Sequence, residues 1–407
     1  MTRLRIAIVV HGRFHSFDLA RELLQIGHDV KLFTNYPAFV AARFGIPAHR
    51  VHTFLTHGVV SRLAWKILPR RLNGTIERLS NTAFGRWAAA QIQRENWDVI
   101  HSFSGVSEEL LLSLRKSSTL LSLARGSTHI VRQRQLLDAE QARAGSWIDK
   151  PSDWIVAREQ REYELADAIF VLGEFAYQSF LDLGFPPSKI YQLRSGVQTR
   201  AFRGSSEVIE ERIRRIRSGQ PLQIINIGTF CLRKGALDLV EVIRQTDPSR
   251  FRFRFVGPIA SDAKHLRRRI EGLVEFQGKK PQMNLPGEYA WGDIFVLPTI
   301  EEGFAGVIPQ ALASGLPIIT TPNSGAVHLV QEGRNGWMLP ARRPDLLLNQ
   351  LLWCDAQRER LVDMVRAAHD SGVGWDWSEM ARLAETYFLS ALAAKLARNS
   401  KEQLHVR

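Results

Sequence analysis

Glu302 is followed by Gly303, Phe304, Ala305 and Gly306, and eight residues beyond it stands Gln310. The acid closes an apolar, strand-like run (residues 294–298), and the glycine-containing loop after it opens an Ala/Leu-rich stretch with helical character. Free backbone N–H groups and a positive helix end are therefore expected beside an acidic side chain. That combination suits a ligand carrying both phosphate and hydroxyl groups. Pro309 fits the first helical turn, where a missing N–H costs little, and puts Gln310 on the rim of that turn. Gly315 and Pro317 are expected to end the helix. A second candidate runs from Gly228 through Thr229, Phe230, Cys231 and Leu232 to Arg233, Lys234 and Gly235. Two adjacent cations in a loop before a helix stabilise negative charge.

Both candidates follow short apolar runs, and the whole chain is built that way. Runs rich in β-branched residues fall at 4–10, 29–34, 98–103, 120–125 and 168–172, separated by amphipathic stretches such as 18–25 and 107–114. The pattern repeats at 222–228, 251–257, 274–278, 292–298, 317–321 and 336–339. Alternation of this kind predicts two parallel sheets, each covered on both faces, with ligands bound beyond the carboxyl ends of the strands. A chain of 407 residues suits two domains of roughly 150 to 200 residues each. Between the halves, the stretch 203–221 is charged and free of aromatic residues, which reads as part of a hinge. After Trp375, Asp376 and Trp377, Ser378 is expected to cap a terminal helix over 379–396.

On these residues the chain resembles the glycosyltransferases of family 4, retaining enzymes of the two-domain GT-B fold that use nucleotide-sugar donors. Their signature is Glu, seven residues, Glu, within an E-G-F-G…E-A…G-x-P block. Glu302 takes the first position and Gln310 the second. The family's second acid mainly binds the donor ribose, where a Gln amide both accepts and donates. The resemblance thus implies altered donor affinity rather than lost activity. Gly228 to Gly235 resembles the family's G-R-x-x-x-x-K-G diphosphate clamp. Lys234 holds the lysine's place and Thr229 the arginine's, with Arg233 able to supply the missing charge. Gly12 closes the first strand where family members carry a glycine loop near the diphosphate. The matches Gly27-His28-Asp29-Val30, Glu164 to Ala168 and Ser195-Gly196-Val197 extend the resemblance over nearly the whole chain, although Gln198 replaces an Asp that is usual there.

The resemblance implies an α/β, GT-B architecture: two Rossmann-like, doubly wound domains facing across a cleft. The expected division is an acceptor-side domain (1–200), a linker (201–221), a nucleotide-sugar-binding domain (222–374) and a terminal helix (375–407) crossing back to the first domain. Catalytic roles fall to Glu302, on sugar hydroxyls, and to Lys234 and Arg233, on the diphosphate. Gly12, Thr229, Gly303, Phe304, Ala305, Gly306 and Gln310 are expected to bind the donor. Many members carry a histidine after the strand matching 120–125. Here Arg125 stands nearest that place and His129 four residues later, so either is expected to touch the transferred sugar or the acceptor, the other reading of His129 being an ordinary loop residue. The implied reaction moves a sugar to a hydroxyl of a glycan or lipid-linked acceptor in cell-envelope or extracellular polysaccharide synthesis. A non-catalytic carbohydrate- or nucleotide-binding relative and a sugar-nucleotide epimerase of the same fold stay open as alternatives.

Composition narrows the partners. The net charge of +13 asks for an anionic partner or surface. Between 59 and 94, Arg62, Lys66, Arg70, Arg71, Arg78, Arg86 and Arg94 face only Glu77, with Trp65, Ile67, Leu68, Phe84 and Trp87 among them. Such a stretch suits an anionic membrane surface, or else a solvated helical face whose aromatic residues are core. No nucleic-acid-binding motif is present. There is no apolar run of the roughly 18 residues a spanning helix needs, and the N-terminal run reads as a strand rather than a secretion signal. With only Cys231 and Cys354, neither a disulfide framework nor a structural zinc site is expected. The location expected is cytoplasmic, peripheral on the inner face of the membrane. No Asp-x-Asp pair occurs, and His11 and His15 lack a third ligand nearby, so neither a metal nor another cofactor is expected. G-x-G-x-x-G and Walker-type loops are also absent, which argues against nicotinamide, flavin and P-loop chemistry.

Overall fold

The computed structural model describes residues 3–68, 72–372 and 376–405. Arg70, Arg71 and Trp375 lie outside them. Among the described residues, thirteen strands form two sheets. The first holds β1 (Arg5–Val10), β2 (Asp29–Thr34), β3 (Val51–Thr53), β4 (Val99–Phe103), β5 (Leu120–Arg125), β6 (Ala168–Val171) and β7 (Ile190–Gln192), in the order β3-β2-β1-β4-β5-β6-β7. The second holds β8 (Leu222–Ile227), β9 (Phe251–Val256), β10 (Val274–Phe276), β11 (Ile294–Leu297), β12 (Ile318–Thr320) and β13 (Gly336–Met338), in the order β10-β9-β8-β11-β12-β13. All pairings between named strands are parallel.

Central strands such as β1 (RIAIVV) and β11 (IFVL) are apolar along their whole length because helices cover both faces of each sheet. The strand order reverses between β1 and β4 in one sheet and between β8 and β11 in the other. A doubly wound sheet opens a crevice at that switch, beyond the strands' carboxyl ends. The loops holding Gly12, residues 228–235 and residues 298–306 all leave strands at these two switch points.

The stretch 201–221 corrects an expectation. Instead of a linker it holds helix Ser206–Arg217, whose Ile209, Ile213 and Ile216 join the core of the second domain. Its seven charges mask a stripe at i, i+4 and i+7. Arg212 on that helix is fully buried. Its guanidinium donates to Gly292 O (2.7 Å), to Tyr289 O (2.9 Å) and to Ser314 O, the carbonyl ends of two other helices. The segment is thus bolted to the second domain, beside the helix that carries Gln310.

The terminal helix, Trp377–His405, packs on the first domain through Met380, Ala381, Ala384, Phe388 and Ala391. Lys395 anchors its far end on Asp167 and Thr119 O, both at 2.7 Å. Its cap is Asp376 rather than Ser378: the Asp376 carboxylate accepts from the amides of Ser378 (3.0 Å) and Glu379 (3.1 Å). Where the chain passes this helix, a Cβ on Gly196 would lie 2.7 Å from Trp377 Cα, so the crossing requires glycine.

Candidate functional site

Loops 228–235 and 298–306 are cross-tied. Ile300 N donates to Arg233 O (2.9 Å), and Thr299 Oγ1 to the same oxygen (3.2 Å). Gly235 has φ +80°, and a Cβ there would meet Pro298 O at 2.1 Å. Only glycine serves at that position. These ties bring the expected catalytic groups together. Lys234 Nζ stands 2.6 Å from Glu302 Oε1, an ion pair by distance whose angles leave that buried oxygen without a directed hydrogen bond. Arg233 Nη1 lies 3.6 Å from the same oxygen. Burial alone would lower the Arg233 guanidinium, but Glu302 and Glu301 outweigh it and keep the group charged. The result is a compact cluster of two acids and two cations at the second switch point.

The loop after Glu302 offers fewer amides than the sequence suggests. Glu302 N and Ala305 N donate to Asn323 O (3.1 Å) and Ser324 O (2.9 Å). Among the described residues, the amides of Gly303, Phe304 and Gly306 carry no hydrogen bond. Phe304 stacks on His328, Ala305 is core, and Gly306 precedes helix Val307–Ala313. Gln310 sits on that helix with Oε1 accepting from Tyr289 OH (3.0 Å). Its amide nitrogen has no acceptor among the described residues and can donate to a ribose hydroxyl. Thr229 is half-buried beside Gly228 in the neighbouring loop.

Three expected contacts on the first domain have hydrogen-bond partners within the protein. The Gly12 amide is bound to Asn35 Oδ1 (2.9 Å), so it serves loop geometry and is not open to phosphate. Each nitrogen of the Arg125 guanidinium donates, to Thr128 O (3.0 Å), Gln133 Oε1 (2.7 Å) and Glu159 Oε1 (3.2 Å). It braces the loop after β5. His129 caps helix Ile130–Ala144 by accepting from Val131 N (3.2 Å), with its ring among Tyr163, Phe180 and Phe185. Burial and then Arg125 push it down to about 4, so it is neutral near pH 7.

Sequence reasoning passed over the loop's most connected acid. Glu301 is fully buried, and its carboxylate accepts from Ser127 Oγ, Thr128 N (3.1 Å), Thr128 Oγ1 (2.9 Å) and Gln133 Nε2 (3.0 Å), all on the first domain. A Cβ on Gly303 would fall 2.1 Å from Gly126 O, so the two backbones touch here. Helix Ile130–Ala144 extends the contact: Arg143 pairs with Asp238 (2.5 Å), and Arg342 with the buried Glu140 (2.9 Å). The doubled acid at 301–302 was the one signal the sequence held.

Two facing parallel-sheet domains with this cluster at the second switch point define the GT-B class of fold. Solved structures agree with that: sucrose-phosphate synthase from Thermosynechococcus elongatus (TM-score 0.70, 18% identity, 96% of this chain and 100% of that one) and Anabaena HepE in complex with UDP (0.66, 14%, 94% and 99%). Residues 221–354 match the family described as glycosyl transferases group 1. A mycobacterial GDP-mannose-dependent alpha-(1-6)-phosphatidylinositol monomannoside mannosyltransferase (Mycobacterium tuberculosis) is 25% identical over 57% of this chain and 60% of its own. The amylovoran biosynthesis glycosyltransferase AmsK of Erwinia amylovora is 23% identical over 58% and 60%. A D-inositol 3-phosphate glycosyltransferase of Corynebacterium aurimucosum is 25% identical over 93% and 90%. The chain spans about half the length of the first curated relatives it matches.

Proposed function

We propose that the protein is a retaining glycosyltransferase that moves a sugar from a nucleotide-sugar donor to a hydroxyl of a glycan or lipid-linked acceptor. The observation that carries this reading is the convergence of Lys234, Arg233 and Glu302 in two cross-tied glycine loops. Lys234 and Arg233 stabilise the charge that grows on the leaving diphosphate, and Glu302 orients the sugar hydroxyls. Gln310 holds the ribose. The acceptor oxygen bonds to the anomeric carbon as the carbon–phosphate oxygen bond breaks. The acceptor's proton passes to the departing phosphate oxygen on the same face, so neither an enzymic nucleophile nor a metal is required.

Thermal unfolding with a panel of UDP, GDP, ADP and their sugar nucleotides tests the reading, because a ligand bound only to the folded state raises the melting point. We expect one nucleoside diphosphate to raise it by several degrees and its sugar nucleotide to be slowly hydrolysed. Epimerisation of the donor alone would make the protein an epimerase, and binding with neither transfer nor hydrolysis a non-catalytic relative.

A membrane-bound acceptor is favoured by helix Leu55–Ile67, which turns Val59, Val60, Leu63 and Ile67 outward. Ile67 is 72% exposed, and Arg62 and Lys66 are exposed on the same helix. Phe84, by contrast, is core. Among the described residues no helix is long and apolar enough to cross a membrane. An apolar stripe edged by cations suits the surface of an anionic bilayer, and the names of the mycobacterial and Erwinia relatives point to lipid and polysaccharide products. The protein should sediment with phosphatidylglycerol vesicles at low salt and be released as salt rises. Equal sedimentation with neutral vesicles would remove the electrostatic part of this reading.

A further inference from the structure

Glu301 belongs to the second domain, yet it is held mainly by the first. Thr128, which gives its carboxylate two hydrogen bonds, is itself fully buried, and Ser127 nearly so. Gln133 and the Thr128 carbonyl are fixed in turn by Arg125, whose third donor is tied to Glu159. On its own side Glu301 has one charged partner: Arg233 Nη1 lies 3.4 Å from Glu301 Oε2 and 3.2 Å from Glu301 O. Burial alone would push the Glu301 carboxyl up, but Arg233, Ser127 and Thr128 outweigh it and hold it below the usual carboxylate range. The carboxylate thus stands between the seam of the two domains and the diphosphate cation.

We propose that Glu301 is a positioning residue that couples closure of the cleft to the readiness of Arg233 for the donor diphosphate. With the domains together, hydroxyl, amide and Gln133 donors share the carboxylate's charge and Arg233 is held only loosely. With the domains apart those donors are withdrawn, and Arg233 becomes the chief partner of an otherwise unsatisfied anion. A diphosphate must then compete with Glu301 for the guanidinium. Linkage makes the effect reciprocal: whatever closure adds to diphosphate affinity, the diphosphate returns as a bias toward closure. The inference deepens the glycosyltransferase reading and rests on it, because the diphosphate is the ligand that Arg233 serves.

The test uses Glu301→Gln, Ser127→Ala with Thr128→Val, and the combination, with UDP, GDP and ADP as binding probes. The nucleotide that the unaltered protein binds is then carried forward, and turnover is read as hydrolysis of its sugar nucleotide. Glu301→Gln removes the anion that competes for Arg233, so nucleotide binding should be kept or tightened while kcat falls at least 10-fold. The Ser127/Thr128 variant should lower kcat and weaken nucleotide binding. Added to Glu301→Gln it should change kcat by less than twofold further, since both cut one link. Small-angle scattering should show each variant expanded relative to the unaltered protein. Independent, multiplicative losses of kcat with unchanged scattering would overturn the coupling. Lower melting points with no divergence between nucleotide affinity and kcat would reduce Glu301 to a packing residue. If the unaltered protein bound none of the three nucleotides, the donor reading would fail instead.

Discussion

Lys234→Ala is expected to lower turnover of the sugar nucleotide by about 100-fold or more, the usual loss when one preorganised charge-stabilising donor is removed. Lys234 has little else to do. Its ammonium pairs with Glu302 and its stem lies over Gly228, where an added Cβ would only touch it at 3.7 Å. Removing it leaves Glu302 with Arg233 at 3.6 Å, so the carboxylate keeps one cation and the domain stays folded. The loss should appear mainly in kcat, because the leaving diphosphate carries more charge in the transition state than in the bound donor, with a smaller weakening of sugar-nucleotide binding. Lys234→Arg should recover part of it. Steady-state kinetics on the sugar nucleotide identified by thermal unfolding decides the matter, and near-normal kcat in the alanine variant would remove Lys234 from the mechanism.

Gly303→Ala is expected to have an effect of similar size by a different route. Gly303 is not among the glycines of positive φ, so its own backbone would tolerate a side chain. The obstacle lies across the seam: the new methyl would fall 2.1 Å from Gly126 O, 2.6 Å from Gly126 C and 2.9 Å from Ser127 Cα. All three are backbone atoms and cannot swing aside, so the domains must separate by about 1 Å, a displacement that costs on the order of 100-fold when reacting groups are misaligned. Neither sheet loses a core side chain, so both domains should stay folded, with the melting point lowered only as far as the packing of Leu137 and Ile148 on the second domain's core is loosened. Gly287→Ala, where a Cβ meets nothing within 4 Å, is the control. Normal turnover in Gly303→Ala would show that sugar transfer does not need the backbones this close.

The fold was legible where burial is complete. Strands such as β1 and β11 are covered on both faces and leave no polar interruption, so an apolar, β-branched run marks them. The strands β3 and β7 escaped, being three-residue edges whose side chains are mostly half-buried. Helix Ser206–Arg217 was obscured by charge, although Ile209, Ile213 and Ile216 carried its period. In the site, glycines and strand ends frame Glu302, Lys234, Arg233 and Gln310 in the sequence, and the structure sets them in adjoining loops and the helix that follows. The partners that Arg125, His129 and Gly12 take up, Glu159, Phe180 and Asn35, are distant in sequence, and no local pattern says that a polar group will be taken up by the scaffold. Glu301 is the extreme case, its hydroxyl donors lying 173 and 174 residues upstream.

The terminal helix also sets an order of assembly. Met380, Ala384, Phe388 and Ala391 lie in the same hydrophobic cluster as Leu4, Ile6 and Ile8 of the first strand region. During synthesis the half made first must wait on the ribosome with one flank of its sheet uncovered, while the half made second can complete its own interior beforehand. Vectorial folding from the N-terminus, the common route for multidomain chains, is therefore inverted here at one step: the first lobe is finished only by a helix made after the whole second lobe.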